Sequence, residues 1–347
     1  MSHERWLLLS DGARPTEDIY FLESVVPLLR SEGHDAGRLG VRGWRWRLAR
    51  QVLARQPGAN LVLCRTLPMP ALRWLERERD TFGHIVYLID DDLAAAAEDV
   101  TLPAAYRERM AKAAAQQSHL LALADEVVAC SEQLAEALRK RHANVSVMTP
   151  PLIAPLPALT HFDRGPSPAS PWCIGFYGTR AHLADLEKIA PALEAVQHRR
   201  NDTELELMLG EHAPATLSDL PRTRCPAPLA WKKFRAYQAR QRLHIGLAPL
   251  RETPFNRGKS FIKFLDIAAM GGVGVYANRY PYTEVVQHGV NGLLADDDPG
   301  EWQRCIEWLL EHPGQARRMA AQAASDASHI GDPTRAQEII TALPIGS

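Results

Sequence analysis

The chain has 347 residues, of which 46% are hydrophobic and 23% charged. This length exceeds the size at which one hydrophobic core usually stops growing, so we expect two domains, and the composition excludes a disordered or fibrous protein. Forty basic and forty-one acidic residues nearly cancel, so the overall charge predicts no nucleic-acid partner, and any anion site must be local.

Two further features of composition concern location and cysteine chemistry. No apolar run reaches the roughly 18 to 20 residues that cross a bilayer, and residues 1–5 are not a basic region followed by an apolar stretch. We therefore expect a cytoplasmic protein with at most peripheral membrane contact. The five cysteines lack the spacing of metal ligands and are expected to be free thiols.

In the first half of the chain, short apolar runs alternate with segments of helical periodicity, which predicts a parallel sheet covered by helices. The predicted strands are residues 6–10, 60–64, 85–89, 126–130 and 145–148. The predicted helices are residues 17–30, 44–55, 71–80, 106–124 and 132–141, and Ser131 is the expected N-cap of the last.

The middle of the chain separates two such series. Seven prolines between residues 149 and 171 fit neither a helix nor a central strand. Beyond them, strands are predicted at 172–177, 204–209, 244–247 and 274–276, and helices at 183–199, 231–242 and 260–270. We therefore predict a first domain at 1–150, a proline-rich linker at 151–171, a second domain at 172–330 and a helical tail at 331–347.

One segment of the second domain carries the chemistry of a phosphate site. Gly258 ends a loop, and a helix is predicted to begin near Ser260, where free backbone N–H groups and the helix dipole suit an anion. Lys259 and Lys263 are two of only seven lysines in the chain. Their spacing of four predicts that they emerge together and reach one diphosphate.

Asp266 follows one helical turn after the second of these lysines, where its carboxylate can accept hydrogen bonds from ribose hydroxyls. A cation pair followed by a carboxylate matches a nucleoside diphosphate from end to end. The alternative is an exposed amphipathic helix on which Lys263 and Asp266 merely pair across one turn.

The sequence around this helix supports the first interpretation. Gly-Leu-Ala-Pro-Leu stands at 246–250, Phe-Leu-Asp at 264–266, Glu-Val-Val at 284–286 and His-Gly-Val-Asn-Gly-Leu-Leu at 288–294. These strings resemble the C-terminal domain of the large retaining GT-B glycosyltransferase family, which includes bacterial mannosyl- and glucosyltransferases of polysaccharide assembly. The resemblance covers about residues 172–313.

The resemblance implies an α/β GT-B architecture, in which two Rossmann-like domains with parallel sheets face one another across a cleft. It implies transfer of a sugar from a nucleotide-diphosphate donor to an acceptor hydroxyl with retention, in bacterial polysaccharide or glycoconjugate assembly. The acceptor is expected to be a glycan, a lipid-linked molecule or a small molecule. No cofactor or metal is expected.

The chain also departs from the family pattern. Many members carry two glutamates eight positions apart, whereas this chain has Gly258 and Asp266 there. Its Gly-Lys-Ser-x-x-Lys form is similar to a subgroup in which lysines take over diphosphate binding. The resemblance thus implies donor roles for Lys259, Ser260 and Lys263, and it places Glu284 on the donor side.

A second element follows the first strand of the second domain. Gly178 and Thr179 form a short loop whose backbone N–H groups are expected to approach phosphate. Arg180 is expected to make a bidentate contact with phosphate, and His182 is expected to hydrogen-bond to sugar or phosphate. The alternative is an ordinary turn with a solvated arginine.

The first domain supplies three consecutive acids, Asp90, Asp91 and Asp92, at the end of a predicted strand. Three adjacent carboxylates cannot all be buried cheaply, so they must face water, a cation or sugar hydroxyls. Because the resemblance implies donor binding without a metal, we expect them on the acceptor side, with Asp11 as a weaker candidate. Helix capping is the alternative.

Two rival functions remain open at this point. One is a sugar-nucleotide epimerase of the same fold, and the other is a degenerate module that binds a glycan or a protein without catalysis. A dinucleotide-dependent oxidoreductase is disfavoured because no Gly-x-Gly-x-x-Gly follows the first strand.

Overall fold

Two six-stranded sheets, each parallel throughout, form the framework of the computed structural model, which describes residues 3–341. The strands of the first sheet are β1 (Arg5–Ser10), β2 (Asp35–Gly40), β3 (Asn60–Cys64), β4 (Ile85–Ile89), β5 (Glu126–Ala129) and β6 (Val145–Val147). Those of the second sheet are β7 (Trp172–Phe176), β8 (Thr203–Leu207), β9 (Thr223–Arg224), β10 (Ile245–Ala248), β11 (Val273–Ala277) and β12 (Leu293–Ala295).

Helices connect the strands in both halves. In the first half they are α1 (Arg14–Glu17), α2 (Val25–Ser31), α3 (Arg45–Leu53), α4 (Met69–Arg77), α5 (Leu93–Glu98), α6 (Ala104–Leu123) and α7 (Glu132–Arg139). In the second half they are α8 (Leu183–Arg199), α9 (Ala215–Ser218), α10 (Trp231–Arg240), α11 (Pro254–Arg257), α12 (Ile262–Ala269), α13 (Pro299–Glu311), α14 (Pro313–Ile330) and α15 (Pro333–Thr341).

The strand order of each sheet reverses at one point. The first sheet runs β2-β1-β3-β4-β5-β6 and the second β12-β11-β10-β7-β8-β9, so the reversals lie between β1 and β3 and between β7 and β10. In open parallel sheets, ligands bind outside the carboxyl ends of the strands at such a switch point. The fold therefore singles out the loops that follow these four strands.

Each sheet has its own hydrophobic core, because the central strands are buried on both faces. Leu8, Val62 and Leu88 are fully or almost fully buried in the first core, and Ile174 and Val275 in the second. Such near-continuous apolar strands are typical of parallel sheets with helices on both faces. The α/β architecture predicted from the sequence is confirmed.

The predicted strands match the observed ones closely, and the N-cap prediction for Ser131 is confirmed by its hydroxyl oxygen, which accepts from the Leu134 N–H at 3.3 Å. All five cysteines are free, as expected. The strands that the prediction missed are β2, β9 and β12, and each lies at or next to a sheet edge, where an apolar run is short or absent.

Two helix predictions were wrong in detail. The single helix predicted at residues 17–30 is divided into α1, a π-helical turn at Asp18–Leu22, and α2. The helix predicted from Ser260 begins at Ile262, because the chain first completes α11 and its closing turn, in which the Lys259 N–H donates to the Asn256 carbonyl oxygen.

The chain crosses between the two halves twice. Residues 148–171, within which the linker was predicted, join β6 to β7 and contain only a short 3-10 turn at Thr160–Asp163. At the other end α15 returns to the first half, where Ala336 and Ile340 are buried in the first core. The predicted tail thus includes a helix to Thr341, and its residues 342–347 lie outside the described residues.

Candidate active site

Side chains from both halves meet between the segments that follow β1, β4 and β5 and the segment that follows β10. Ser131 Oγ donates to the Gly258 carbonyl oxygen at 2.8 Å, and the hydroxyl oxygens of Tyr20 and Ser260 lie 3.3 Å apart. Each of these contacts joins a residue of the first half to one of the second. The candidate site is the cleft around them.

An arginine organises the acids of the first half. Asp90 and Asp91 follow β4, and Arg65 follows the neighbouring β3. The guanidinium Nη1 lies 3.2 Å from Asp90 Oδ1, and Nη2 lies 3.1 Å from Asp91 Oδ2. Thr16 Oγ1 donates to the other oxygen of Asp90 at 2.6 Å.

Sequence reasoning missed Arg65 and Thr16. The one signal for Arg65 is that it directly follows a buried strand, at the edge of the sheet where ligands bind. Its backbone has φ of 57°, in the left-handed region that non-glycine residues rarely adopt. This conformation is typical of residues held in place by a functional site.

Lys259 crosses the cleft. Its Nζ donates to Asp91 Oδ1 at 2.5 Å and lies 4.0 Å from the centre of the Phe255 ring. The sequence predicted Lys259 beside Lys263 at the start of a helix, with Asp91 on a separate acceptor side. In the structure Lys259 precedes the helix and pairs with Asp91, and the donor role of Lys259 stays a prediction.

The charged groups of this cluster shift one another's pKa values. Burial alone would raise the pKa of Asp91, but Lys259 and Arg65 outweigh it, and the pKa lies below its ordinary value. Burial would lower the pKa of Lys259, yet Asp91 raises it above the usual range. Burial raises the pKa of Asp90, and Arg65 offsets only part of this rise. At neutral pH, Lys259 and Asp91 therefore form a charged pair.

The other two candidate acids of the first half, Asp92 and Asp11, each accept a hydrogen bond from a nearby group. Asp92 Oδ1 accepts from the Ala95 N–H at 2.9 Å and caps the start of α5, which is the capping alternative weighed for these acids. Asp11 accepts a hydrogen bond from Thr66 Oγ1, and burial raises the pKa of Asp11. Asp11 and Thr66 follow β1 and β3, so this pair lies directly at the first switch point.

In the second half, the Lys263 ammonium group donates hydrogen bonds to two oxygen atoms. Its Nζ donates to Asp266 Oδ2 and to the Tyr177 carbonyl oxygen, both at 2.9 Å. Gln238 Nε2 donates to the other oxygen of Asp266 at 3.1 Å. The side chains of Lys263 and Asp266 are 27% and 19% exposed, so this polar group is partly accessible to solvent.

The glycine loop begins at Tyr177, so Lys263 ties the start of α12 to that loop. A Cβ at Gly178 would stand 2.3 Å from the buried Phe176 ring, and glycine is therefore required there. Thr179 Oγ1 accepts from the Ala181 N–H at 3.3 Å and caps the turn that follows. Arg180 is exposed, with its Nη1 3.3 Å from the His212 ring.

A buried acid that sequence reasoning missed orients His182. Asp185 Oδ2 lies 2.8 Å from His182 Nδ1, and its Oδ1 accepts from the Arg251 N–H and the Asn256 amide. Burial would raise the pKa of Asp185, but the hydrogen bond from His182 and the charge of Arg251 bring it below its ordinary value. The signal was its place three residues after His182, one turn into the helix.

Two predicted donor residues, Ser260 and Glu284, remain to be placed in the structure. Ser260 is half-buried between α11 and α12, where its hydroxyl meets that of Tyr20. Glu284 is exposed at the end of a 3-10 turn, Tyr282–Glu284. Nearby, the Tyr280 hydroxyl oxygen accepts from the Glu132 N–H at 3.2 Å, which is a further contact between the halves.

Within residues 3–341, no three His, Cys, Asp or Glu side chains are arranged to hold a metal ion. None of the helices in that range combines the length and hydrophobicity that a bilayer crossing requires.

No protein-family model and no curated protein sequence matches the chain. Solved structures do match over nearly its whole length. HepE from Anabaena, crystallised with UDP and glucose, is 14% identical with a TM-score of 0.62, over 98% of this chain and 99% of HepE. Sucrose-phosphate synthase from Thermosynechococcus elongatus is 13% identical with a TM-score of 0.67, over 98% of each chain.

A third similar structure is the α,α-trehalose 6-phosphate synthase from Burkholderia multivorans, which is 10% identical with a TM-score of 0.61, over 98% of this chain and 97% of the synthase. At these identities the likeness establishes the fold. The chain has the GT-B fold of these glycosyltransferases, with two parallel-sheet domains and a cleft between them.

Proposed function

We propose that the chain is a glycosyltransferase that moves a sugar from a nucleoside-diphosphate donor to an acceptor hydroxyl, with retention at the anomeric carbon. The observation that carries this proposal is the group formed by Lys263, Asp266 and the Gly178 loop at the second switch point. It offers a cation for a diphosphate beside a carboxylate for a ribose. HepE, which shares the fold, has been crystallised with UDP and with UDP-glucose.

In this proposal the positive groups of the second half stabilise the leaving diphosphate. Lys263 and Arg180 contact its oxygens, and the backbone N–H groups of Gly178 and Thr179 approach them closely. Asp266 accepts the ribose hydroxyls, while Ser260, His182 and Glu284 complete the donor side. Fixed charges of this kind stabilise developing negative charge without reorganisation, since they stand in place before the reaction.

The acceptor occupies the first half of the cleft. There Asp90 and Arg65 form a fixed polar wall beside Asp91, and Asp11 continues it to the end of β1. The leaving diphosphate takes the proton of the acceptor hydroxyl, so no protein nucleophile is needed. Because lysine and arginine supply the positive charge, we propose no metal or other cofactor.

The cellular setting is also a proposal. The resemblance of residues 172–313 to polysaccharide-assembling enzymes supports a place in bacterial polysaccharide or glycoconjugate assembly. A nucleotide-sugar donor is made inside the cell, which supports a cytoplasmic location. The acceptor is a glycan, a lipid-linked molecule or a small molecule.

Thermal-shift measurements with UDP, GDP and ADP, each beside its nucleoside, test donor binding. A ligand at about 100 times its dissociation constant stabilises the folded protein by roughly 2.7 kcal/mol, which is readily detected. The best diphosphate is then titrated into Lys263→Met and into Lys188→Met, an exposed lysine of α8 that serves as matched control.

Lys263→Met should weaken diphosphate binding by about ten- to a hundredfold, the equivalent of one lost charge-assisted contact, and nucleoside binding much less. Equal loss for both ligands would contradict a diphosphate role. Sugar interconversion without an acceptor would favour the epimerase, and tight glycan binding with no diphosphate binding would favour a non-catalytic module. With the donor known, the anomeric configuration of the product, read by NMR, tests retention.

A further inference from the structure

Helix α3 of the first domain exposes an apolar stripe. Only five large hydrophobic side chains are exposed among the described residues, and three of them belong to this helix and its N-cap: Trp44 is 70% exposed, Leu48 53% and Val52 39%. Their spacing of four residues places them along one face of the helix. The concentration of three such residues on one face distinguishes α3 from the rest of the described surface.

This stripe is not needed for folding, because the helix has a second apolar face. Ala49 and Leu53 are buried in the first core, and Trp46 packs edge-on against Trp74 with ring centres 5.6 Å apart. On a helical wheel these residues lie opposite the stripe. One face therefore anchors α3 to the domain, and the other is free for a partner.

The charge around the stripe is strongly positive. Between Asp35 and Glu76 the sequence contains no acidic residue, but it contains eight arginines: Arg38, Arg42, Arg45, Arg47, Arg50, Arg55, Arg65 and Arg73. The whole chain carries a net charge of only −1, so this excess is local. A partner that covers the stripe must tolerate or attract these cations.

Most of these arginines form no ion pair with another described residue. Within residues 3–341, the arginines of this stretch that form ion pairs are Arg38, with Glu17, and Arg65, with the acids of the cleft. Those on and around α3 are exposed and have no carboxylate partner in that range: Arg42, Arg45, Arg47, Arg50 and Arg55.

We propose that α3 docks on the surface of an anionic phospholipid bilayer. In this arrangement Trp44, Leu48 and Val52 enter the boundary between headgroups and acyl chains, and the flanking arginines contact lipid phosphates. Helices that lie in this interface combine an apolar face with basic flanks, and tryptophan favours that depth. Each basic side chain near an anionic leaflet adds to the attraction.

Other occupants fit the surface less well. A second copy of this chain would bring two sets of arginines together and would be repelled. A nucleic acid would satisfy the arginines and leave Leu48 and Val52 in water. A bilayer provides both negative charge and an apolar layer along one plane.

The position of α3 connects the bilayer to the cleft. The segment that leads into it leaves the carboxyl end of β2, where the Val41 N–H donates to the Ser10 carbonyl oxygen at 2.9 Å, and the charge of Arg42 acts on Asp11. The docked helix thus holds the acceptor half of the cleft near the membrane. On the proposed function, this favours the lipid-linked class of acceptor.

Vesicle flotation tests the docking directly and requires no enzymatic activity. The whole protein is mixed with phosphatidylcholine vesicles that contain or lack phosphatidylglycerol. Two paired variants remove the proposed contacts: Trp44→Ser with Leu48→Ser, and Arg45→Gln with Arg47→Gln. The matched control is Val100→Ser with Val290→Ser, which removes the two other large exposed hydrophobic residues, 79% and 48% exposed, from elsewhere on the surface.

We expect binding to the phosphatidylglycerol vesicles, weakened by salt. The apolar pair should weaken it by roughly tenfold or more, the arginine pair by about fivefold for each charge, and the valine control hardly at all. All changed side chains are exposed, so melting temperatures and diphosphate binding should stay at wild-type values.

Any of the following results would overturn the proposal. The first is that the wild type does not bind the anionic vesicles. The second is that the variant changed at Trp44 and Leu48 binds them as well as the wild type does. The third is that the wild type forms a dimer and does not bind vesicles, whereas this variant is a monomer. Salt-sensitive binding of single-stranded RNA without vesicle binding would also overturn it. Because diphosphate binding is measured on the same preparations, failure of the docking is distinguishable from failure of the proposed function.

Discussion

The pair formed by Lys259 and Asp91 allows a sharp test of how the two halves cooperate. The two side chains meet at 2.5 Å across the cleft and are 18% and 10% exposed. If Lys259 also serves the donor diphosphate, Asp91 competes with the ligand for that ammonium group. We therefore consider Lys259→Met, Asp91→Asn and the double variant.

The magnitude follows from the burial of the pair. Loss of one partner from a fully buried pair costs about 3 to 5 kcal/mol, and an exposed pair contributes at most about 1 kcal/mol. Here Asp91 keeps Arg65 at 3.1 Å, which compensates part of the loss. We expect Lys259→Met to lower the free energy of unfolding by about 2 kcal/mol, with a coupling energy between the two sites of about 1 to 2 kcal/mol.

The effects on ligand binding should have opposite signs. Asp91→Asn releases Lys259 and should tighten binding of the nucleoside diphosphate by roughly three- to tenfold. Lys259→Met should weaken it by about tenfold or more, since a charge-assisted contact is lost. The double variant should bind like Lys259→Met, because Asp91 acts on the ligand only through the lysine.

Isothermal titration calorimetry gives the affinities of the wild type and the three variants for the diphosphate and for its nucleoside. Asp80→Asn, which removes an exposed carboxylate from the same domain, controls for the change in net charge. If Asp91→Asn tightens binding equally with and without Lys259, the effect is general electrostatics and the competition does not exist. Unchanged affinity in Asp91→Asn would likewise refute it.

Three further predictions concern other parts of the second domain. Gly178→Ala should destabilise the protein by about 1 to 3 kcal/mol in urea unfolding and weaken diphosphate binding, because the added Cβ meets the Phe176 ring; wild-type stability would contradict this. Asp266→Asn should weaken nucleoside and diphosphate binding alike in calorimetry, since both ligands contain the ribose, whereas a loss confined to the diphosphate would remove the ribose assignment. Burial lowers the pKa of His244 from 6.5 to about 4, so the folded state binds fewer protons than the unfolded state between these values, and stability should fall by up to about 3 kcal/mol as pH drops from 6.5 to 4. His244→Gln, which loses the imidazole Nδ1 that accepts from the Cys173 N–H at 3.0 Å, should flatten that dependence in pH-resolved unfolding, and an unchanged slope would assign the effect to other groups.

The sequence predicted the central strands because they are buried on both faces and therefore appear as continuous apolar runs. Strand β2, Asp35–Gly40, lies at a sheet edge and contains two glycines and an arginine, so no such run marks it. The division of the predicted helix 17–30 depends on tertiary packing that local periodicity does not carry. The fold class was predictable for the same reason as the strands, since the order of elements alone indicates two α/β units.

The site was predictable only in its parts. Lys263 and Asp266 were recognised from their spacing and from the family pattern, and they do stand together at the second switch point. The partner of Lys259 was not predictable, because Asp91 lies 168 residues away along the chain and no local rule connects them. Arg65 was missed for a similar reason, since its role depends on two acids from the next strand.

On the proposed function, the contacts across the cleft bear on how the two halves move relative to one another. Several are polar: Trp231 Nε1 donates to Asp18 Oδ2 at 2.7 Å, Arg251 Nη2 donates to Thr101 Oγ1 at 2.7 Å, and Lys259 Nζ donates to Asp91. One is apolar, because Phe255 of the second half is buried in the first core. Polar interfaces between domains exchange their partners for water at modest cost, so relative domain motion is the default expectation.

A glycosyl transfer site has to admit a large, charged donor and then exclude water that would hydrolyse it. The hydrogen bonds and the ion pairs of Lys259 with Asp91 and of Arg235 with Glu23 can exchange with water as the cleft opens, whereas the burial of Phe255 in the first core opposes opening. Lys259 lies between Asp91 of the first half and α12 of the second. A diphosphate that displaces Asp91 from the Lys259 ammonium group would break the ion pair between the halves. The bound ligand would at the same time form a new contact between them. On this argument donor binding and domain closure are coupled through a single side chain, and the double variant of Lys259 and Asp91 should uncouple them while Lys263 and Asp266 still hold the nucleotide.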